Sequence, residues 1–328
     1  MPRVSALDDH LVGLQVRLLT RNSHLTEYAS AVSTPRSLTL DDGVRRATIH
    51  TPRGDFAALV AEPRGPVLGT VVFVPGFTGS KEDFLHIVAP IAAAGFRAIA
   101  YDQRGQYESA VAADSHEITL DLLAQDLADI ISEVGGGGQV HVVGHSFGGL
   151  VCQIAALNHS DALASLVLMC TGPGALPSKA HELLNSLVQA VSAGMSLDDV
   201  WLIKDQLDRA NGHPLPSPEV HEFLRVRFTG NHPKALAQKA SILMTAPDRS
   251  AQLASHLADH QIQSLVLYGI DDDAWNVADQ DQMAVALGAE IVVIDQAAHS
   301  PAVENVSATT AALVAFWTSA NQNCHNGV

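Results

Sequence analysis

The stretch Gln139–Val151, with the sequence QVHVVGHSFGGLV, contains the pattern that decides the fold. Its first part, Val140–Val143, has the β-branched composition of a short buried strand. Apolar residues then recur at helical spacing: Leu150, Val151, Ile154 and Leu157. Ser146 therefore lies at a strand-to-helix turn, where Gly144 and Gly148 leave room for a tight backbone path. This G-x-S-x-G pattern is typical of a nucleophile elbow, which exposes a serine Oγ beside a helix amino terminus.

Length and charge restrict the classes of protein to which the chain can belong. Its 328 residues are 47% hydrophobic, which is enough for one large core or for a core with an inserted subdomain. The formal net charge is −16 and the basic residues form no cluster, which argues against nucleic acid and anionic membrane partners. No apolar run is long enough to span a bilayer, and Met1–Thr20 lacks the uninterrupted apolar core of a signal peptide.

Cysteine and histidine usage predicts a reducing, cytoplasmic setting without a metal site. The three cysteines have no metal-type spacing: Cys152, Cys170 and Cys324. The first two fall in predicted apolar elements, where buried reduced thiols are expected. Two histidine pairs have H-x-x-x-H spacing, and only His256 and His260 could share a helix face, since His141 and His145 straddle a strand-to-turn junction. Neither pair has the H-E-x-x-H form, so we predict no metal and no cofactor.

The order of the strand and helix patterns predicts an α/β protein with a mostly parallel central sheet covered by helices. The strand patterns lie at Ala47–His50, Phe56–Ala61, Gly69–Val74, Phe96–Tyr101, Val140–Val143, Leu163–Met169, Ser264–Tyr268 and Ile291–Ile294. The helix patterns include Phe84–Ala94, Thr119–Glu133, Ala180–Val191, Leu197–Leu207, Val220–Phe228, Val277–Leu287 and Ala302–Trp317.

Four divisions of the chain follow from these patterns: an N-terminal helical extension at 1–43, a core at 44–171 and 256–320, a helical cap at 172–255, and a flexible tail at 321–328. The cap falls between the sixth and seventh core strands, over the carboxyl ends of the strands, where such sheets bind ligands. A stripe of leucines between Leu7 and Leu19 predicts a helix in the extension. That helix could pack on the core, cover the active site or contribute to a homodimer.

The elbow also predicts further catalytic residues later in the chain. A serine hydroxyl needs an adjacent base, which in turn needs an orienting acid, and this fold supplies them in the order Ser, Asp, His after strands. The loop after 264–268 offers three candidate acids: Asp271, Asp272 and Asp273. The loop after 291–294 contains His299, which we predict to be the general base for Ser146. His145 is the rival base, although the geometry of the turn favours a structural role for it.

Two backbone N–H groups are expected to bind the oxyanion that forms when the serine attacks a carbonyl. One should come from Phe147, the residue after the nucleophile, and the other from Phe77 in the loop after Gly69–Val74.

Several of these motifs resemble those of the α/β-hydrolase superfamily, in its cap-bearing branch of serine hydrolases that includes esterases and lipases. The segment Val74-Pro75-Gly76-Phe77 is similar to the branch's His-Gly-x oxyanion loop, with proline in place of histidine. Residues 101–105 resemble its Asp-x-Arg-Gly turn, which is usually structural. Gly269-Ile270-Asp271-Asp272 looks like its Gly-x-x-Asp acid motif, and Ala298-His299-Ser300-Pro301 is similar to its Gly-His-x-Pro base motif.

The resemblance covers about residues 44–319 and implies that Asp272 is the acid, with Asp271 and Asp273 as the alternatives. It also argues against the haloalkane dehalogenase and epoxide hydrolase groups, which use aspartate where this chain has Ser146.

These observations predict a serine hydrolase that cleaves a carboxylic ester, thioester or lactone of a small molecule through an acyl-enzyme. Apolar residues in the cap suggest an apolar acyl or alkyl group: Leu183, Leu187, Trp201, Leu202, Phe223, Leu243 and Met244. The same residues could instead serve carbon–carbon bond hydrolysis, perhydrolysis, amide cleavage or acyl transfer. A non-catalytic binding scaffold is the third hypothesis.

Overall fold

A computed structural model describes residues 33–111 and 117–326 of the chain. Eight strands form one sheet: β1 Val44–Thr51, β2 Gly54–Ala61, β3 Gly69–Val74, β4 Phe96–Tyr101, β5 Val140–His145, β6 Leu163–Met169, β7 Gln263–Gly269 and β8 Glu290–Ile294. They lie in the order β1-β2-β4-β3-β5-β6-β7-β8. The strand β2 runs antiparallel to both of its neighbours, β1 and β4, whereas β3 to β8 pair in parallel. The predicted mostly parallel sheet is therefore confirmed.

The helices cover this sheet because its central strands are apolar on both faces. The helices are α1 Leu85–Ala93, α2 Leu120–Val134, α3 Phe147–Asn158, α4 His181–Ser192, α5 Leu197–Ala210, α6 Pro218–Thr229, α7 Pro233–Thr245, α8 Ser250–Asp259, α9 Val277–Leu287, α10 Pro301–Glu304 and α11 Val306–Asn326. The central strand β5 is buried at every position. The edge strand β8 instead exposes Ile291 and Val293.

Five helices, α4 to α8, fall between β6 and β7, which are the sixth and seventh strands of the sheet. A second apolar cluster joins several of them, and its buried members are Leu197, Trp201, Val220, Leu224, Phe228 and Leu236. The helix α8 contributes Leu253 and Leu257 to the main core cluster, to which α4 and α7 also contribute Leu184 and Leu243. We refer to α4–α7 as the inserted helices, since each has a residue in the second cluster or packed against it. The structure adds α7 and α8 to the three helices that the sequence pattern named in this region.

The last part of the chain differs from its predicted pattern. The sequence predicts one helix over Ala302–Trp317, whereas the structure ends α10 at Glu304 and begins α11 at Val306. Asn305 interrupts them with φ −138° and ψ 73°, which is not a helical conformation. The helix α11 then continues to Asn326, so it extends into the segment that the sequence assigned to a tail. The leucine stripe of residues 7–19 lies outside the described residues.

Cys152 and Cys170 are free and buried, as predicted, and burial raises the pKa of both thiols. Within the described ranges, every helix is too short or too polar to pass through a bilayer.

Candidate active site

Ser146 occupies a strained turn between β5 and α3. Its φ of 55° and ψ of −121° place it outside the conformations that non-glycine residues usually adopt. Its N–H donates to the carbonyl of Met169 at 2.9 Å, which ties the turn to the end of β6. A Cβ at Gly144 would lie 2.5 Å from the Gly148 carbonyl oxygen, and one at Gly148 would overlap the carbonyl oxygen of Val74. Both glycines are therefore required by close backbone approach, as the elbow pattern predicts.

His299 and Asp272 lie together at the carboxyl end of the sheet. His299 follows β8 and Asp272 follows β7, and their Nδ1 and Oδ1 atoms are 2.8 Å apart. Both side chains are buried, with 5% and 0% of their surface exposed. Burial alone would lower the pKa of His299, but the Asp272 carboxylate outweighs it and raises that pKa above 6.5. Since Nδ1 is bonded to Asp272, Nε2 of His299 is left to act on a substrate.

Asp272 is held in place by two further donors. Its Oδ1 accepts from the Ala274 N–H at 3.1 Å, and its Oδ2 accepts from the Gln280 amide at 2.8 Å. Burial raises the pKa of Asp272, but His299 and these donors reverse the shift and leave it below its ordinary value. Of its two neighbours, Asp271 is exposed, and Asp273 bonds through its backbone carbonyl to Lys179. The structure thus places Asp272, of the three adjacent aspartates, on His299.

The backbone around His299 is fixed by residues that the sequence pattern did not identify. The Glu304 carboxylate accepts from the N–H groups of Ala298 and Ser300, at 2.7 and 3.0 Å. The Trp275 ring stacks beside the His299 imidazole, with 6.2 Å between ring centroids. Glu304 could have been suspected because an acidic residue early in a helix often bonds to free backbone N–H groups.

His145 supports the same loop. Its Nε2 donates to the His299 carbonyl oxygen at 2.7 Å, because a carbonyl can only accept. Burial, and secondarily the neighbouring His299, lower the pKa of His145 to about 3. His145 therefore stays neutral over the whole range in which a general base for serine would operate.

The loop after β3 lies against the elbow. A Cβ at Gly76 would come 3.2 Å from the Cβ of Ser146, so the backbone of this loop directly contacts the strained turn. Gly76 and Phe77 both line the cavity that contains Ser146 and His299. Phe147, the other predicted donor, is fully buried at the first position of α3. The structure thus brings all five predicted site residues to one end of the sheet.

A cavity of about 420 Å³ opens over these residues. Its floor includes Ser146, His299 and Trp275, and the inserted helices form its apolar walls. Of the seven cap residues named from the sequence, four line it: Leu183, Leu187, Trp201 and Leu243. The side chain of Leu202 points away and is 54% exposed. A cavity of this size and lining suits a small, largely apolar molecule.

A buried ion pair crosses from the inserted helices to the core at the cavity wall. Arg227 of α6 donates from Nη1 to Oδ1 of Asp83 at 2.7 Å and from Nη2 to the Ser33 carbonyl at 2.8 Å. Asp83 in turn accepts from the N–H of Ser80, which follows the loop that contains Gly76 and Phe77, at 3.2 Å. The Ser80-x-x-Asp83 spacing is readable in the sequence as a capping box, whereas Arg227 carries no local signal.

Three potential metal ligands also lie near one another. Ligand-type atoms of His145, Cys170 and His299 are within 4.8 Å of each other. Both histidines are already bonded, one to a carbonyl and the other to Asp272. These hydrogen bonds account for the cluster without a metal.

The sheet order, the elbow and the inserted helices define an α/β protein of hydrolase architecture. A family model described as the alpha/beta hydrolase fold matches residues 69–195. A thermophilic esterase from Thermogutta terrifontis has a similar structure, with a TM-score of 0.67 and 24% identity, over 84% of this chain and 99% of that one. The chain therefore has the α/β-hydrolase fold.

Curated relatives match over a shorter stretch. A protein of Variovorax paradoxus (strain S110), named as a candidate carbamate hydrolase, RutD, is 37% identical over 109 residues, or 33% of this chain and 40% of that protein. Epoxide hydrolase A of Mycobacterium tuberculosis (strain ATCC 25618 / H37Rv) is 32% identical over 113 residues, or 33% of this chain and 32% of that protein. The chain therefore matches less than half the length of either relative.

Proposed function

We propose that this protein is a serine hydrolase that cleaves carboxylic esters of small apolar molecules. The observation that carries the proposal is the Asp272–His299 hydrogen bond beside a strained serine in an apolar cavity. The solved structures of similar fold include an esterase, and the fold is compatible with this activity.

The proposed reaction uses Ser146 as the nucleophile. Its Oγ forms a bond to the ester carbonyl carbon while Nε2 of His299 takes the hydroxyl proton. Asp272 orients the imidazole and stabilises the imidazolium. The N–H groups of Phe77 and Phe147 bind the oxyanion, each contributing about 3 kcal/mol of barrier reduction. The alcohol leaves with the proton from His299, and a water molecule then repeats the cycle and releases the acid.

The rival assignments have less support. His145 is an unsuitable base because its Nε2–H is bonded to a carbonyl and its pKa is about 3. One matched relative is named as an epoxide hydrolase. By the family resemblance, however, epoxide hydrolases use aspartate at the position where this chain has Ser146. Amide, carbamate, carbon–carbon and perhydrolytic reactions would use the same residues, and one relative is named as a candidate carbamate hydrolase.

A fluorophosphonate probe tests the proposal. The wild-type protein should be labelled and should hydrolyse p-nitrophenyl esters, whereas Ser146→Ala should do neither. Ser241→Ala is the matched control, because Ser241 lies on α7 and bonds to a carbonyl of its own helix. Labelling that persists in Ser146→Ala would disprove the assignment. Labelling without ester turnover would shift the proposal to an amide, carbamate or carbon–carbon bond.

The set of substrates separates these reactions further. p-Nitrophenyl esters of increasing acyl length and the matching anilides and carbamates would be compared at one pH. A preference for esters over anilides by several orders of magnitude would support the proposal, and the reverse order would overturn the ester assignment.

A further inference from the structure

The predicted oxyanion loop, Val74–Phe77, has Pro75 where, by the family resemblance, the His-Gly-x motif has a histidine. Proline has neither an N–H nor a polar side chain, so it cannot hold the loop by hydrogen bonds of that kind. The structure shows a different support. Two glutamines from the turn after β4, Gln103 and Gln106, donate to the backbone carbonyls of the loop.

Each glutamine holds a different peptide unit. Nε2 of Gln103 donates to the Pro75 carbonyl at 2.7 Å. Nε2 of Gln106 donates to the Gly76 carbonyl at 2.7 Å and also reaches the Phe77 carbonyl at 3.2 Å. Both side chains are buried, with residue exposures of 1% and 0%. A buried amide in such a place is costly unless it is bonded, so these contacts are specific.

The bond to Gly76 has a consequence for the predicted oxyanion donor. The Gly76 carbonyl and the Phe77 N–H belong to one planar peptide unit, and the described chain contains no cis peptide bond. In a trans peptide the C=O and the N–H point in opposite directions. Gln106 therefore aims the Phe77 N–H away from the β4 turn. A hydrogen bond to the carbonyl also polarises the unit and strengthens the N–H as a donor.

The glutamine itself is firmly held. The Oε1 atom of Gln106 accepts from the Gln103 N–H at 3.1 Å, so its amide cannot rotate without losing bonds at both ends. The turn that carries it is anchored by Asp102, whose carboxylate accepts from the N–H and the Nζ of Lys81 at 2.7 and 2.8 Å. Arg104 makes a second buried ion pair with Asp126.

We propose that Gln106 is a positioning residue for the oxyanion hole, because its amide fixes the peptide unit whose N–H, that of Phe77, binds the developing negative charge. This inference rests on the proposed function. Gln106 does not touch the substrate, and it acts through the Gly76–Phe77 peptide. The Gly76 carbonyl also accepts from the Gly79 N–H at 3.3 Å, so the loop keeps one weaker anchor when Gln106 is replaced.

The test replaces Gln106 with methionine, which has nearly the same length and no hydrogen-bonding group. We expect kcat for a p-nitrophenyl ester to fall about 10-fold to 100-fold, less than the loss of a whole donor, while KM changes by less than about threefold. An alkyl boronic acid, which forms a tetrahedral adduct with the serine, should lose affinity by the same factor as kcat.

Gln103→Met is the matched control. It removes an equally buried amide from the same loop, but the peptide that it holds carries the Gly76 N–H and not that of Phe77. The urea midpoints of unfolding should fall by similar amounts in the two variants. Gln103→Met should nevertheless keep kcat within about threefold of the wild-type value. Gln106→Glu is a second variant, since a carboxylate cannot donate to either carbonyl. If Gln106→Met folds poorly, titration of labelled serine corrects kcat for the folded fraction.

Three outcomes would overturn the inference. In the first, Gln106→Met and Gln106→Glu keep the wild-type kcat and boronate affinity. In the second, kcat falls as much in Gln103→Met as in Gln106→Met. In the third, kcat falls in Gln103→Met alone. The last result would make Gly76 the donor. All three leave the proposed function standing, because wild-type protein would still be labelled at Ser146. A wild-type protein that neither reacts with the probe nor cleaves esters would instead refute the proposed function.

Discussion

Replacing Arg227 with methionine should destabilise the protein strongly, even though Arg227 lies outside the sheet. Its guanidinium and the Asp83 carboxylate are 2.7 Å apart, and their side chains are only 1% and 2% exposed. Removing one partner of such a pair leaves an uncompensated buried charge, which costs about 3–5 kcal/mol of unfolding free energy. At an m-value of roughly 3 kcal/mol/M, the urea midpoint should fall by about 1–1.7 M.

Arg225→Met is the control for this prediction. Arg225 lies on the same helix and pairs with Glu222 and Asp198, but its side chain is 38% exposed. Exposed pairs contribute about 0–1 kcal/mol, so this variant should unfold near the wild-type midpoint. In the double variant Asp83→Asn/Arg227→Met, the loss should be smaller than the sum of the two single losses, because neither charge is left behind.

The cost of losing Arg227 should also depend on pH. Burial raises the pKa of Asp83 to about 6, and Arg227 opposes that rise. Without Arg227 the pKa of Asp83 rises further, so the folded variant binds a proton that the unfolded chain releases. Its stability must then continue to decrease between pH 7 and 8, where the wild-type contribution of Asp83, whose pKa is about 6, has become nearly flat. An Arg227→Met variant with the wild-type urea midpoint at pH 8 would refute this reasoning.

Two further predictions concern the catalytic acid and a buried lysine. Asp272→Asn should lower kcat about 10³–10⁴-fold, and the acid limb of kcat/KM should move to lower pH, since the strongest influence that raises the pKa of His299 is lost while its burial remains; an unchanged pH–rate profile would exclude Asp272 as the acid. Lys239, whose Nζ has no hydrogen-bond partner among the described residues, has a pKa lowered to about 7 by burial. Lys239→Met should therefore stabilise the protein by roughly 2–4 kcal/mol at pH 6. The gain should shrink from pH 7 to 10.5, because in this range the unfolded lysine holds a proton that the folded lysine has released, so the wild type becomes more stable as the pH rises; equal urea midpoints at pH 6 would contradict this.

The parts of the site that the sequence predicted are those with a local pattern. The elbow combines a strand, two glycines and a helix within thirteen residues, so its conformation is encoded where it forms. His299 follows from the order of strands along the chain. The choice of Asp272 from three adjacent aspartates depended on the family resemblance, because adjacent loop residues have no periodicity that separates them.

The supports of the site could not be predicted in the same way, because each joins residues distant in sequence. Gln106 and Gly76 are 30 positions apart, and Arg227 and Asp83 are 144 apart. A buried ion pair or amide leaves no hydrophobic periodicity, and only the packed structure shows its partner. The break at Asn305 is missed for a related reason: the side chain of Glu304 bonds backward to the His299 loop, and this contact competes with a continuous helix.

The loop after β3 is connected to the inserted helices on both sides of Phe77. Before Phe77, the carbonyls of Pro75 and Gly76 accept from the glutamines of the turn after β4. That turn is itself bonded to the inserted helices, because the His232 N–H at the start of α7 donates to the Gly105 carbonyl at 3.0 Å. After Phe77, Ser80 is joined through Asp83 to Arg227 of α6. The peptide unit of Phe77 therefore lies between two contacts with the inserted helices, so substitutions at these contacts are expected to affect the geometry proposed for oxyanion binding as well as the cavity walls.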